Sequence, residues 1–170
     1  MKIDVLEVGY LKENCYILSI DNKVLIVDPG DEADRIKEVV KNKDILGILV
    51  THSHFDHVGA LSYFEGYKVY SYSTTYEKEY EVGPFKFKVI RTPGHKDDSV
   101  SFYFYEENTL FAGDFIFYEG IGRCDLEGGS FDDMQKSIDM IKKYPENMII
   151  YPGHGCKTVL KHEMENNPYF

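Results

Sequence analysis

Ile45-Leu46-Gly47-Ile48-Leu49-Val50 runs directly into Thr51-His52-Ser53-His54-Phe55-Asp56-His57, and this junction decides how the chain is read. The first six residues form a short, unbroken apolar run, the pattern of a buried strand. The next seven carry three imidazoles and one carboxylate, the donors that borderline divalent metals select. In an extended segment, side chains two apart share a face, so His52 and His54 point together toward one ion. Where the chain then turns into a helix, Asp56 and His57 are re-aimed toward a second ion about 3.5 Å away. Chance surface histidines do not explain such a density of ligands at the end of a strand.

Upstream, Met1 to Val8, Asn14 to Ile20 and Lys23 to Val27 read as an antiparallel meander, with Asp21-Asn22 as a turn and Asp28-Pro29-Gly30 closing it. Asp31 is placed to cap a helix carrying Ile36, Val39 and Val40. Downstream, a helix is expected over about Asp56 to Tyr63, followed by short strands through Tyr70 and from Glu77 to Val82. Phe85, Phe87 and Val89, then Val100, Phe102 and Phe104, alternate with more polar residues, the period of strands with one buried face. Leu110 to Ala112 and Met148 to Tyr151 are further strands. Between them Ser130 caps a helix that turns Met134, Ile138 and Ile141 inward, with Lys142 and Lys143 in its last turn and Pro145 ending it. Strands and helices in two similar halves predict an α+β protein: two sheets face to face with helices outside, a four-layer αββα sandwich.

The chain of 170 residues, 43% hydrophobic, fits one domain over residues 1–170, and no repeat or linker divides it. Its formal charge of -10, without a basic cluster longer than two residues, argues against a nucleic-acid partner. Two divalent metals would offset part of that charge locally. No apolar run approaches the roughly 20 residues that span a bilayer, so no membrane association is expected. The first residues enter a strand pattern at once rather than a leader, and a cytoplasmic location is the expectation. Cys15, Cys124 and Cys156 form no C-x-x-C pair and read as reduced thiols.

With these motifs in hand, the sequence resembles the metallo-β-lactamase superfamily over essentially its whole length. His52-x-His54-x-Asp56-His57 matches the signature H-x-H-x-D-H, and Asp28-Pro29-Gly30, Thr92-Pro93-Gly94-His95, Phe111-Ala112-Gly113-Asp114 and Tyr151-Pro152-Gly153-His154 follow the family's order. The resemblance implies that His52, His54 and His95 bind one ion, that Asp56, His57 and His154 bind a second, and that Asp114 bridges them. It implies two divalent ions per chain, zinc first, with iron and manganese as alternatives. The catalytic groups are then Asp56 and Asp114, acting with a metal-bridging hydroxide.

The segment Gly120-Ile121-Gly122-Arg123-Cys124-Asp125-Leu126-Glu127-Gly128-Gly129 is similar to the G-x-G-R-T-D-L-P-G-G stretch of short glyoxalase II-like hydrolases, and Asn167-Pro168-Tyr169-Phe170 echoes their N-P-F tail. That narrower likeness implies a small-molecule acyl-thiol substrate such as S-lactoylglutathione, with Arg123 contacting the thiol carrier. Cys156 stands where glyoxalase II usually has tyrosine, Cys124 and Glu127 replace Thr and Pro, and the chain stops before a helical C-terminal domain. Three other functions stay open: a mononuclear-iron persulfide dioxygenase, a lactonase or esterase of the same fold, and a binding module without chemistry.

Overall fold

Strands whose residues are apolar without alternation need cover on both faces. The computed structural model describes residues Met1–Phe170 and supplies that cover with two packed sheets and flanking helices. The first sheet holds β1 (Lys2–Val8), β2 (Glu13–Ile20), β3 (Lys23–Val27), β4 (Asp44–Leu49) and β5 (Val69–Tyr70), side by side in chain order. The second is built from β6 (Glu79–Val82), β7 (Phe85–Arg91), β8 (Val100–Phe104) and β9 (Thr109–Gly113), joined after a small separate hairpin, β10 (Ile116–Phe117) and β11 (Gly120–Ile121), by β12 (Ile149–Pro152) and β13 (Thr158–Val159). Its spatial order is β13-β12-β9-β8-β7-β6.

Between the sheets, Leu18, Leu25 and Leu49 meet Phe87, Phe102 and Phe111. The outer face of the first sheet, with Ile17, Ile26 and Ile48, is covered by Ile36 of α1 (Ala33–Val39) and by Phe64. On the outer face of the second sheet, Ile90, Leu110 and Ile150 lie under Met134, Ile138 and Ile141 of α3 (Phe131–Ile141) and Leu160 of α4 (Leu160–Asn166). The four-layer αββα sandwich expected from the sequence is the observed architecture. β1, β2 and β3 form the antiparallel meander. The pairs β3–β4, β4–β5 and β9–β12 are parallel, because a helical crossover separates each pair in sequence. As a result β3, β4, β9 and β12 each deliver a loop to the same edge of the sandwich.

Four local expectations need correction. The segment Asp56 to Tyr63 is not one helix: α2 covers Phe55–Val58 and a 3₁₀ turn covers Leu61–Phe64. The Ala60 N–H between them is taken by the Pro29 carbonyl at 3.0 Å, which pins the break. Asp31 does not cap α1. Glu32 holds that position at φ 51°, with its carboxylate drawn off to the Gly9 N–H and Arg35, while Asp31 only accepts from the Glu32 N–H. Ser130 does cap α3, accepting from the Asp133 N–H at 3.2 Å, but that helix ends at Ile141, so Lys142 is its C-terminal cap and Lys143 lies beyond it. β8 is buried on both faces, since α3 and its neighbours cover Tyr103 where alternation suggested solvent.

Candidate metal centre

Each ligand-bearing loop leaves the end of a buried strand, and five histidines and two aspartates meet there. His52 and His54 follow β4, and His54 Nδ1 lies 3.1 Å from His52 Nε2 and 2.8 Å from His95 Nε2. His95 follows β7 in a loop held against α3: the Ser130 N–H donates to the Gly94 carbonyl at 2.8 Å, and a Cβ at Gly94 would stand 2.6 Å from the Met134 Cα. Any side chain at Gly94, whose φ is 149°, would push His95 away from its partners.

The second cluster is assembled from more distant parts. Asp56 Oδ2 lies 3.3 Å from His154 Nε2 and 3.9 Å from His57 Nε2. Asp114, released at the end of β9, faces both clusters: Oδ1 stands 3.3 Å from His57 Nε2, while Oδ2 stands 3.5 Å from His95 Nε2 and 3.7 Å from His154 Nε2. All seven residues expected from the sequence therefore converge. The sixth histidine, His162, pairs with Glu119 on α4, outside either cluster.

The outer partners of the rings decide which nitrogen looks inward. His95 Nδ1 lies 2.7 Å from the Arg123 carbonyl and His154 Nδ1 3.1 Å from the Leu11 carbonyl. A carbonyl can only accept, so both rings carry their hydrogen on Nδ1 and turn an Nε2 lone pair to the centre. His57 Nδ1 lies 2.9 Å from Asp28 Oδ2, which orients that ring the same way. Asp28 in turn accepts from the Thr51 N–H at 2.7 Å and from Thr51 Oγ1 at 2.6 Å.

Burial pulls His52 well below its usual value and His54 down as well, so both rings are neutral and ready as ligands. Burial also opposes charge on His57, but its pairing with the Asp114 and Asp28 carboxylates outweighs it and holds that ring well above the ordinary range. His154 is raised, chiefly by its hydrogen bond to Asp56. Burial raises the Asp114 carboxyl, yet its pairing with the His57 ring wins and brings it down to about 2. The centre thus gathers ionised carboxylates around protons that a bound cation displaces.

The donor set fits divalent metal ions. His57 Nε2 and Asp114 Oδ1 are buried, face one another and make no hydrogen bond, which is costly unless something between them accepts both lone pairs. His52, His54 and His95 present one such set of atoms and Asp56, His57 and His154 another, each within 4.8 Å. Above them opens a cleft of about 460 Å³ lined by Leu11, Phe55, Leu126 and Arg123 together with ligand residues. Arg123 reaches this cleft as expected, but its guanidinium is already forked onto Asp125 at 2.7 Å to each oxygen, holding that carboxyl down to about 2.

One residue escaped the sequence reading. Glu13 opens β2, is fully buried, and places Oε1 3.8 Å from His57 Nδ1. Burial pushes its carboxyl well upward, with His57 opposing. Nothing in its local sequence marks it, because an acid at the start of a strand is ordinarily solvated.

A two-sheet sandwich that brings histidines and aspartates together at one edge defines a metal-binding class of αββα proteins. The sequence profile of the metallo-beta-lactamase superfamily matches residues 8–72 and 68–154, and the chain belongs to that family, whose members bind divalent metals. A probable metallo-hydrolase of Bacillus subtilis, YqgX, is 33% identical, covering 99% of this chain and 97% of its own. The hydroxyacylglutathione hydrolase GloC of Haemophilus influenzae is 28% identical, covering 99% and 98%. Among solved structures, the BLEG-1 B3 metallo-beta-lactamase superposes with a TM-score of 0.94 at 32% identity, covering 99% of both chains. TTHA1623, solved in a di-iron-bound form, gives 0.88 at 28% identity, covering 98% and 100%.

Proposed function

We propose that this metallo-hydrolase carries two divalent ions, zinc first, and hydrolyses small hydroxyacyl thioesters such as S-lactoylglutathione. The observation that carries the reading is Asp114, whose two oxygens face different ligand clusters at 3.3 and 3.5 Å. A carboxylate so placed neutralises two close cations at once. TTHA1623, similar over nearly the whole chain, is described with two irons, and GloC, similar over its full length, is named for hydroxyacylglutathione hydrolysis.

His52, His54 and His95 would hold one ion and Asp56, His57 and His154 the other, with Asp114 facing both sets. Bound there, the ions supply a water acidified toward neutral pH and a Lewis acid for the thioester carbonyl. The chain's own residues do the rest. Asp56 and Asp114 face the cleft and orient the attacking water by accepting its hydrogen bonds. Leu11, Phe55 and Leu126 line the cleft with apolar surface for the acyl and thiol chains. Arg123 offers a carboxylate of the thiol carrier its guanidinium, in exchange for Asp125, an exposed pair that solvent screens and that is therefore open to exchange. The free thiols of Cys15, Cys124 and Cys156 suit a reducing cytoplasm.

The test is a steady-state comparison of S-lactoylglutathione, other acyl thioesters, a lactone panel and a chromogenic cephalosporin, with oxygen uptake followed on glutathione persulfide. Thioester hydrolysis exceeding the others by at least tenfold in kcat/KM is the expected result. Oxygen consumption with the persulfide, or a preference for lactones, would overturn the substrate reading.

A further inference from the structure

Glu13 is buried where a carboxylate has no ordinary reason to be. Its exposure is 0%, and neither Oε1 nor Oε2 has a hydrogen-bond partner. A solvated surface residue or an ion pair would not look like this, and no lysine or arginine is paired with it. Its position is set by backbone on both sides: it pairs with Val8 in β1 and bridges to His154, beneath the centre. Oε2 lies so near Gly30 that a Cβ there would stand 2.7 Å from it, so the side chain is walled in and aimed at His57. Glu13, Asp28 and the outer edge of the His57 ring lie within 4.8 Å of one another, all buried.

The arrangement is lopsided. His52 and His95 rest on uncharged partners, the Thr51 hydroxyl and the Arg123 carbonyl. His57 alone has two carboxyls behind it, Asp28 at 2.9 Å and Glu13 at 3.8 Å, and two more, Asp114 at 3.3 Å and Asp56 at 3.9 Å, in front. Asp28 already accepts the Nδ1 hydrogen, so Glu13 is not needed to set the tautomer. What Glu13 adds is negative charge along the axis of the ring, on the side away from the ion. An unpartnered buried carboxyl costs stability in the fold, and a cation held on the opposite edge of the imidazole offsets that cost. Such outer groups tune metal affinity through the ligand they back.

We infer that Glu13 is a positioning residue for the second ion, backing His57 so that the Asp56–His57–His154 site binds its cation more tightly than the three-histidine site would lead one to expect. The inference rests on the two-ion reading above. It assigns Glu13 no contact with substrate and no part in the three-histidine site.

The experiment is a zinc titration of metal-stripped protein against a competing chelator, resolved into two sites, with thermal melts of the same metal-stripped samples. For Glu13→Gln the second-site affinity should fall by about 10- to 100-fold, with the first site within threefold of the parent. The melting temperature of the metal-stripped variant should equal or exceed the parent's, because a buried acid with no partner has been replaced by a group that never ionises. Glu13→Asp, which keeps the charge, should recover at least half of the lost affinity on a logarithmic scale. Opposite signs for stability and second-site affinity are what a purely structural residue cannot give. Two parent-like sites in Glu13→Gln would overturn the proposal, as would a variant that melts lower or fails to fold. A parent that takes up only one ion would instead overturn the two-ion reading on which it stands.

Discussion

Replacing Asp28 by asparagine changes little in shape and much in the hydrogen inventory behind His57. Asp28 accepts three hydrogen bonds, from the Thr51 N–H at 2.7 Å, Thr51 Oγ1 at 2.6 Å and His57 Nδ1 at 2.9 Å. Bonds to a charged acceptor contribute about 1.5–3 kcal/mol each and neutral ones about 0.5–1.5, so three downgraded bonds cost about 3 kcal/mol. For a chain of this length that lowers the melting temperature of the metal-stripped protein by about 6–12 °C. An amide can keep one Thr51 bond through its oxygen, but its NH₂ then faces His57 Nδ1. The ring can satisfy it only by moving its hydrogen to Nε2, the atom that must ligate the second ion. Second-site zinc affinity should therefore fall by about 10- to 100-fold while the three-histidine site is spared. Thermal melts and chelator-competed zinc titration measure the two effects. Parent-like second-site affinity, or equal weakening of both sites, would show that Asp28 does not set the His57 tautomer.

Gly153→Ala sets a Cβ onto Asp114 Oδ1 and 2.7 Å from His57 Cε1, so second-site occupancy should drop at least tenfold, measured by elemental analysis after dialysis. Arg123→Ala should raise KM for the glutathione thioester about fivefold with kcat within twofold, because the main-chain carbonyl that orients His95 is untouched; a fall in kcat at constant KM would contradict that. Asp125→Ala frees the guanidinium and should shift KM the other way in the same assay. In the metal-stripped protein, the raised His57 and His154 stabilise below their ordinary 6.5, and this is lost as pH rises through their higher folded values. Asp114, held down to about 2 from its ordinary 3.8, stabilises above 3.8 and loses this as pH falls toward 2. Its melting temperature should thus peak between about pH 4 and 6.5, and a monotonic rise to pH 9 would show that these pairs do not set it.

What the sequence made legible follows the range of the interactions involved. His52, His54, Asp56 and His57 are adjacent, and strand-then-helix geometry is enough to aim them. Ser130 caps α3 through a bond three residues long. The one core face of β7 was visible as alternation, since Lys86 and Lys88 remain only half-buried. Long-range facts were hidden. The parallel pairings of β3 with β4 and β9 with β12 depend on crossovers whose length, rather than composition, dictates them. The break after Val58 comes from a carbonyl at Pro29, some thirty positions away, and the diversion of Glu32 from a backbone N–H at Gly9. Tyr16, which hydrogen-bonds the Pro152 carbonyl from within an apolar strand, and Glu13 beside it owe their roles to the last loop folding back on β2. Neither position differs locally from an ordinary strand residue. His95, Asp114 and His154 were legible only through the family's ordered motifs, because each alone is a common loop residue.

Two ions in one chain, with Asp114 between them, underlie everything proposed for this site. The most direct measurement is the metal content of the purified protein beside that of Asp114→Asn, by mass spectrometry of the elements after exhaustive dialysis. Close to two divalent ions per chain are expected in the parent and at most one in the variant, since an amide cannot neutralise two cations. A single tightly held iron in the parent, or two ions retained in Asp114→Asn, would contradict that arrangement.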